Sequence, residues 1–178
     1  MIIGTGQATV TLLGRLASKR CSITIIEGNK VGGSCVNYGC TPTKTMVASA
    51  KALHQARRGD FFGFQPEPVV NFERVVARMN EIRNASSNGL RGWIESEKNA
   101  KLIGGWAKFS GKKTVEVNGK QISADKIYIN VGTSPAVPPI KGISEVPWLE
   151  SARLLALKEL PEHLIVVGGG CGVCSGLS

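Results

Sequence analysis

The chain has 178 residues, 42% of them hydrophobic, and a formal charge of +9 from 22 Lys and Arg against 13 Asp and Glu, a length that buries roughly two-thirds of the unfolded surface and allows one domain with a core. No run approaches the roughly 18 uncharged apolar residues of a membrane span, the N-terminus lacks the order of a signal peptide, and five cysteines do not form the even framework of a small secreted domain, so a cytoplasmic protein is expected. The positive charge would suit nucleic acid, an anionic membrane or a phosphorylated cofactor, but Lys and Arg are scattered and no basic helix is interleaved with aromatics, so neither a nucleic-acid nor a membrane partner is expected.

Met1-Ile2-Ile3 followed by Gly4-Thr5-Gly6-Gln7-Ala8-Thr9 reads as the end of a buried strand turning into a helix, and Ser22-Ile23-Thr24-Ile25-Ile26-Glu27 as the next strand. This is a βαβ unit. Its first glycine makes a tight turn, its second lets backbone amides approach a pyrophosphate, and the helix N-terminus at Gln7 and Ala8 stabilises the negative charge. Glu27 falls about twenty residues on, where an acid accepts hydrogen bonds from a ribose. Thr9 stands where the third glycine of such a turn belongs, and its side chain is expected to crowd helix against strand. The first strand is short, three residues from Met1 where roughly five are usual.

The stretch Gly32-Gly33-Ser34-Cys35-Val36-Asn37-Tyr38-Gly39-Cys40-Thr41-Pro42-Thr43-Lys44 puts two thiols five positions apart beside a glycine pair and a lysine. At the start of one helix, Cys35 and Cys40 can close a short, strained disulfide. The helix N-terminus and Lys44 favour the thiolate and would make the pair a redox device, the alternative being two unrelated structural thiols. Residues 43–57 read as a helix with Arg57-Arg58 near its C-terminus, ended by Gly59 and Gly63. His54 on it reads as a surface residue, because no second His or acid lies at metal spacing. Pro66 and Pro68 keep the chain extended. A second helix is expected from Asn71, a plausible N-cap, with Phe72, Val75, Val76, Met79 and Ile82 at helical spacing. It is expected to falter at 86–89 and to resume through Trp93 and Ile94 as core residues.

From residue 100 the period changes, and 101–110, 114–117 and 121–123 are strand candidates, with Asn118-Gly119 a hairpin turn whose central residues want φ > 0. Residues 125–131 form a further apolar strand ending in Gly132-Thr133, a loop placed near a cofactor. Pro135, Pro138 and Pro139 make an extended connector, 151–157 a short helix, and 163–167 before Gly168-Gly169-Gly170 a second strand-to-glycine turn. Cys171 and Cys174 form a Cys-x-x-Cys that would be half a zinc site or a redox pair; the second ligand pair is missing, and no metal site is assigned.

The stretch from Gly32 to Lys44 resembles the redox-active segment of the flavoprotein disulfide reductases, the class I pyridine nucleotide-disulfide oxidoreductases that include dihydrolipoamide dehydrogenase, glutathione reductase and mercuric reductase. The family pattern is Gly-Gly-Thr-Cys, four residues, Cys, then a proline and a lysine; Ser34 is the departure. Thr-Pro-Thr-Lys followed by an alanine-rich helix is most similar to mercuric-reductase-like members. The resemblance implies an α/β fold, a doubly wound FAD-binding Rossmann-like domain with an inserted β meander, truncated at the start of a second Rossmann domain. Residues 1–140 would be the partial FAD-binding domain with the redox-active disulfide, 141–160 a connector, and 161–178 the first strand and turn of an NAD(P)-binding domain.

The same resemblance implies FAD, held by Gly4, Gly6, Gln7, Ala8 and Glu27 with Gly33, Ser34, Gly132 and Thr133 near it. NAD(P)H would pass electrons through FAD to a Cys35–Cys40 disulfide and on to a small disulfide or Hg(II). By position, Cys40 would be the flavin-facing thiol that forms the charge-transfer complex, Cys35 the thiol that attacks substrate, and Lys44 a group near the flavin N5 that tunes its potential. The nicotinamide site, the segment completing the FAD site and the dimerisation domain of a homodimeric family, with its catalytic histidine, are expected outside this sequence, which is therefore read as an incomplete and inactive fragment. Two other readings remain open: a noncatalytic module that binds FAD or a protein partner, and a thiol-based metal-binding protein using Cys35, Cys40, Cys171 and Cys174.

Overall fold

The isoleucine-rich runs at both ends of the first loop are β-branched throughout, which suits strands covered on both faces. In the computed structural model, which describes residues 1–65 and 67–169, they form β1 (Ile2–Ile3) and β2 (Ile23–Glu27), joined through helix α1 (Gln7–Leu16). Helices α2 (Gly33–Tyr38), α3 (Cys40–Arg57) and α4 (Phe72–Ser96) follow, with a 3₁₀ turn at Gly59–Phe62. Then come β3 (Ala100–Gly104), β4 (Lys108–Gly111), β5 (Thr114–Val117), β6 (Lys120–Ser123), β7 (Tyr128–Ile129) and the short helix α5 (Ser151–Leu154).

The chain divides into two units. The first, residues 1–37 with 85–137, holds a parallel sheet in the order β3-β2-β1-β7 and an antiparallel meander β4-β5-β6 inserted between β3 and β7. This is the α/β architecture the sequence implied. Alternate strand residues serve opposite faces. Ile2, Ile23 and Ile25 pack with Leu13, Val31 and Ile94 on one face, while Ile3 and Ile26 pack with Met1, Val115 and Val117 on the other. The meander therefore covers one face of the parallel sheet. In the second unit, residues 38–84 with the described residues from 138 onward, the Arg78 guanidinium ties α4 to α3 by donating to Thr45 O at 3.0 Å and Ser49 Oγ at 3.2 Å.

Several expectations hold and several are corrected. Asn71 caps α4 by accepting from the Arg74 amide at 2.8 Å, and Asn118 and Gly119 take φ of 51° and 72° in the β5–β6 turn. Helix α4 does not falter at 86–89: Ser87 Oγ donates to Val31 O at 2.7 Å, so its hydroxyl is committed to another segment instead of competing with its own helix. The single helix expected to carry both thiols is two, because Gly39 at φ −138°, ψ −118° interrupts it; Cys35 lies in α2 and Cys40 opens α3. The strand expected over 101–110 is cut at Gly105, φ 150°, into β3 and β4. Only Tyr128–Ile129 of 125–131 pairs as a strand, and the 151–157 helix is Ser151–Leu154. Residues 163–167 form no strand, and Ile165 is 89% exposed; a parallel strand needs a neighbour for its amides and carbonyls, and none pairs with it among the described residues. Pro66, Gly170, Cys171 and Cys174 lie outside the described residues. No described helix is long and apolar enough to cross a membrane.

Ile25 is fully buried at the centre of the larger cluster. Ile25→Ala is expected to lower unfolding free energy by about 2–5 kcal/mol, the cost of a large-to-small change with its residual cavity, read from the urea midpoint. Ile165→Ala, at an exposed site, is expected to stay within about 0.5 kcal/mol.

Candidate functional site

β1 leads into Gly4, whose φ of +97° belongs to glycine and whose added Cβ would collide with the Asn130 carbonyl oxygen. The chain then turns through Thr5 into Gly6, the N-cap of α1, which contributes no side-chain cap. The helix therefore presents uncapped amides at Gln7 and Ala8, both exposed, at its positive end.

Thr5 is buried, and it joins the three pieces of the site. Its amide donates to Glu27 Oε2 at 2.8 Å and its hydroxyl to the same oxygen at 2.5 Å, while the hydroxyl accepts from the Gly32 amide at 3.0 Å. Glu27 Oε1 accepts from the Asn29 amide at 2.8 Å. Gly33, at φ +63°, brings the start of α2 against the same turn: a Cβ there would lie 2.7 Å from Gly6 Cα. The turn at Gly4–Thr9, the Glu27 carboxylate and the Gly32-Gly33 loop thus converge at the carboxyl ends of β1 and β2, as the βαβ reading of Glu27 and the turn required.

Thr9 does not crowd this arrangement; that expectation is corrected. Its side chain is buried, with Oγ1 donating to Gly4 O at 2.8 Å and accepting from Asn130 Nδ2 at 2.9 Å. The Asn130 amide donates to Ile3 O at 2.8 Å, so Thr9 fastens α1 to the ends of β1 and β7. Gly132, at φ +73°, and Thr133 follow two and three residues later and are exposed. Thr5, Asn130 and Asn37 were not singled out from sequence. Asn37 Nδ2 donates to Val31 O and Gly33 O, each at 3.0 Å, and holds the glycine loop on α2; its position one turn after Gly33 was the available signal.

Of the thiols, Cys35 is partly buried in α2, within the first unit, and Cys40 is exposed at the start of α3, within the second. Cys21, Cys35 and Cys40 are outside any disulfide in the structure. Lys44 is exposed one turn after Cys40 on α3 and so shares its face of the helix. Among the described residues no group of three or more His, Cys, Asp or Glu is placed to hold a metal ion.

Thr5→Val keeps the shape of the side chain and removes both hydroxyl bonds, leaving the Gly32 amide without its acceptor. It is expected to destabilise the chain by about 1–3 kcal/mol, the cost of an unsatisfied buried donor, measured by urea unfolding against Thr9→Ser, which keeps the hydroxyl and is expected to cost less.

The model of the pyridine nucleotide-disulphide oxidoreductases matches residues 1–173. The chain is similar to a mercuric reductase of Lysinibacillus sphaericus, 34% identical over 171 residues, covering 96% of this chain and 31% of that protein. It is similar also to a dihydrolipoyl dehydrogenase of Thermus scotoductus, 31% identical over 173 residues, covering 96% of this chain and 37% of that one. Among solved structures it superposes on the HOCl-induced flavoprotein disulfide reductase RclA from Escherichia coli with a TM-score of 0.80 and 37% identity, covering 95% of this chain and 36% of the other. The chain thus spans about a third of the length of these relatives. On the family match and the shared fold together, the chain belongs to the pyridine nucleotide-disulphide oxidoreductase family.

Proposed function

We propose that the chain supplies the FAD-binding and dithiol part of an oxidoreductase that passes electrons from NAD(P)H through FAD to a Cys35–Cys40 disulfide and on to a small disulfide or Hg(II). The observation that carries this reading is the convergence of uncapped α1 amides, the Thr5–Glu27 pair and the Gly32-Gly33 loop. The donor set fits a dinucleotide. Amides at Gln7 and Ala8, with Gly4, Gly6, Gly33 and Ser34 beside them, suit a pyrophosphate. A carboxylate accepts about four hydrogen bonds and Glu27 has three in hand, which leaves one for a ribose hydroxyl. Gly132 and Thr133 would close the site from the end of β7.

FAD, when bound, supplies the means of converting hydride from NAD(P)H into the electron pair that opens a disulfide. The chain's own residues do the rest. Reduction of the Cys35–Cys40 disulfide yields two thiols. Those thiols reduce a substrate disulfide to two thiols, or Hg(II) to Hg(0) with release of two protons, and the Cys35–Cys40 bond forms again. In this reading Cys40 faces the flavin, Cys35 attacks substrate, and Lys44 sits beside the flavin and favours its reduced form by charge. The mercuric and dihydrolipoyl relatives support a metal-ion and a disulfide substrate respectively. The nicotinamide site and the homodimer that completes catalysis are assigned to the two-thirds of the relatives' length that this chain does not match. The reducing cytoplasm, where an exchangeable dithiol works, is the proposed compartment. The metal-binding alternative needs Cys171 and Cys174, which are outside the described residues.

Two measurements test the reading. The chain is expected to retain a visible flavin band after addition of FAD and desalting, and Glu27→Ala to weaken FAD binding at least about tenfold, as loss of a charge-assisted hydrogen bond would. Mild oxidation should leave the tryptic peptide 31–44, which contains both thiols, two hydrogens lighter, and Cys40→Ser should abolish that change. No retained band, together with cysteines that pair at random, would contradict the reading. The 178-residue chain with FAD alone is expected to show no NAD(P)H turnover.

A further inference from the structure

We propose that Trp106 is the shelf on which the adenine ring of the dinucleotide stacks, an inference that rests on the nucleotide reading above and extends it to a residue no motif marks. Trp106 is 78% exposed, an unusual position for a large apolar ring that has a free choice of rotamer. It is nevertheless held against the backbone. A Cβ built on Gly28 would lie 2.6 Å from the indole Cδ2, 2.8 Å from Cε3 and 2.9 Å from Cε2. Three neighbouring ring atoms at nearly equal distance mean that one face of the indole lies flat on Gly28, the residue after Glu27, and that only glycine permits it.

The segment carrying the ring is anchored as well. Gly104 pairs in register with Glu27, the Gly105 amide donates to Glu27 O at 2.8 Å, and Asn118 Nδ2 donates to Gly104 O at 2.9 Å. Trp106 therefore stands at the carboxyl end of β3, next to the carboxyl end of β2. The sheet order then sets out the ligand. The α1 amides stand at the end of β1, Glu27 at the end of β2 and Trp106 at the end of β3, with strands about 4.8 Å apart. Phosphate, ribose and base follow one another in that order along a nucleotide. The acid at the end of β2 takes the adenosine ribose in such folds, so the base that reaches β3 is adenine rather than the flavin ring. An indole with one face seated and the other open to solvent presents a π surface suited to a base.

The test uses ADP, which carries adenine, ribose and diphosphate without the flavin. ADP is expected to quench tryptophan emission of the chain; of its three tryptophans, Trp106 should account for the quenching, so that it disappears in Trp106→Phe although ADP still binds by calorimetry within about threefold. Trp106→Ala is expected to weaken ADP and FAD by about 5- to 100-fold, the range for losing one aromatic–base stack. Gly28→Ala, whose Cβ would push the indole from its seat, should weaken ADP in the same direction, and it decides the matter if Trp106→Ala does not fold by circular dichroism. ADP affinity within about twofold of the parent in the folded Ala variants overturns this proposal alone. A parent chain that binds neither ADP nor FAD overturns the nucleotide-site reading and this proposal with it.

Discussion

The Thr5 hydroxyl, donating to Glu27 Oε2 and accepting from the Gly32 amide, is the constraint on which the site depends. It joins segments that the chain brings together from 22 and 27 residues away. A buried hydroxyl with both roles filled has one orientation, and a charged acceptor makes its donation about twice as strong as a neutral one. With Thr5 held, Gly4 must take its left-handed turn, Gly6 must cap α1 without a side chain, and Gly33 must pack on Gly6. The Gly6 cap leaves the exposed Gln7 and Ala8 amides without a side-chain acceptor at the positive end of α1, where an anion would be stabilised.

The parallel sheet supplies the rigidity this knot needs. Its central strands β1 and β2 are buried on both faces, by Leu13, Val31 and Ile94 on one side and by Val115 and Val117 of the meander on the other. The meander contributes in a second way, because Asn118 in its turn holds the Gly104–Gly105 segment that leads to Trp106. A local feature read from sequence as a hairpin signal therefore supports a surface that the same reading passed over.

What was legible in the sequence were features whose cause is local. The Gly4–Thr9 turn, the acid at Glu27, the φ > 0 requirement at Asn118-Gly119 and the Asn71 cap each depend on a few neighbouring residues. What was not legible depends on partners far along the chain. Thr9 looked like a steric fault because Asn130, whose Nδ2 donates to the Thr9 hydroxyl, lies 121 residues away. The run 86–89 looked like a helix break because Ser87's partner, Val31 O, lies 56 residues away. Trp106 was hidden inside an apolar strand pattern, since only the opposing Gly28 shows that its ring is seated and exposed. The thiol segment behaves in the reverse way. Its spacing and its Gly-Gly, Pro and Lys neighbours carry the redox assignment in sequence, while the structure corrects the local geometry by placing Gly39 between two helices.

The central claim is that a turn held by Thr5 and Glu27 offers its α1 amides to the phosphates of a dinucleotide. Hydrogen exchange resolved to single amides, with and without FAD, tests it most directly. The account predicts that the Thr5 and Gly32 amides exchange slowly in both states, since their acceptors are within the protein, and that Gln7 and Ala8, together with Gly33 and Ser34, slow markedly only when FAD is present. FAD binding that protects other segments and leaves Gln7 and Ala8 unchanged would contradict it.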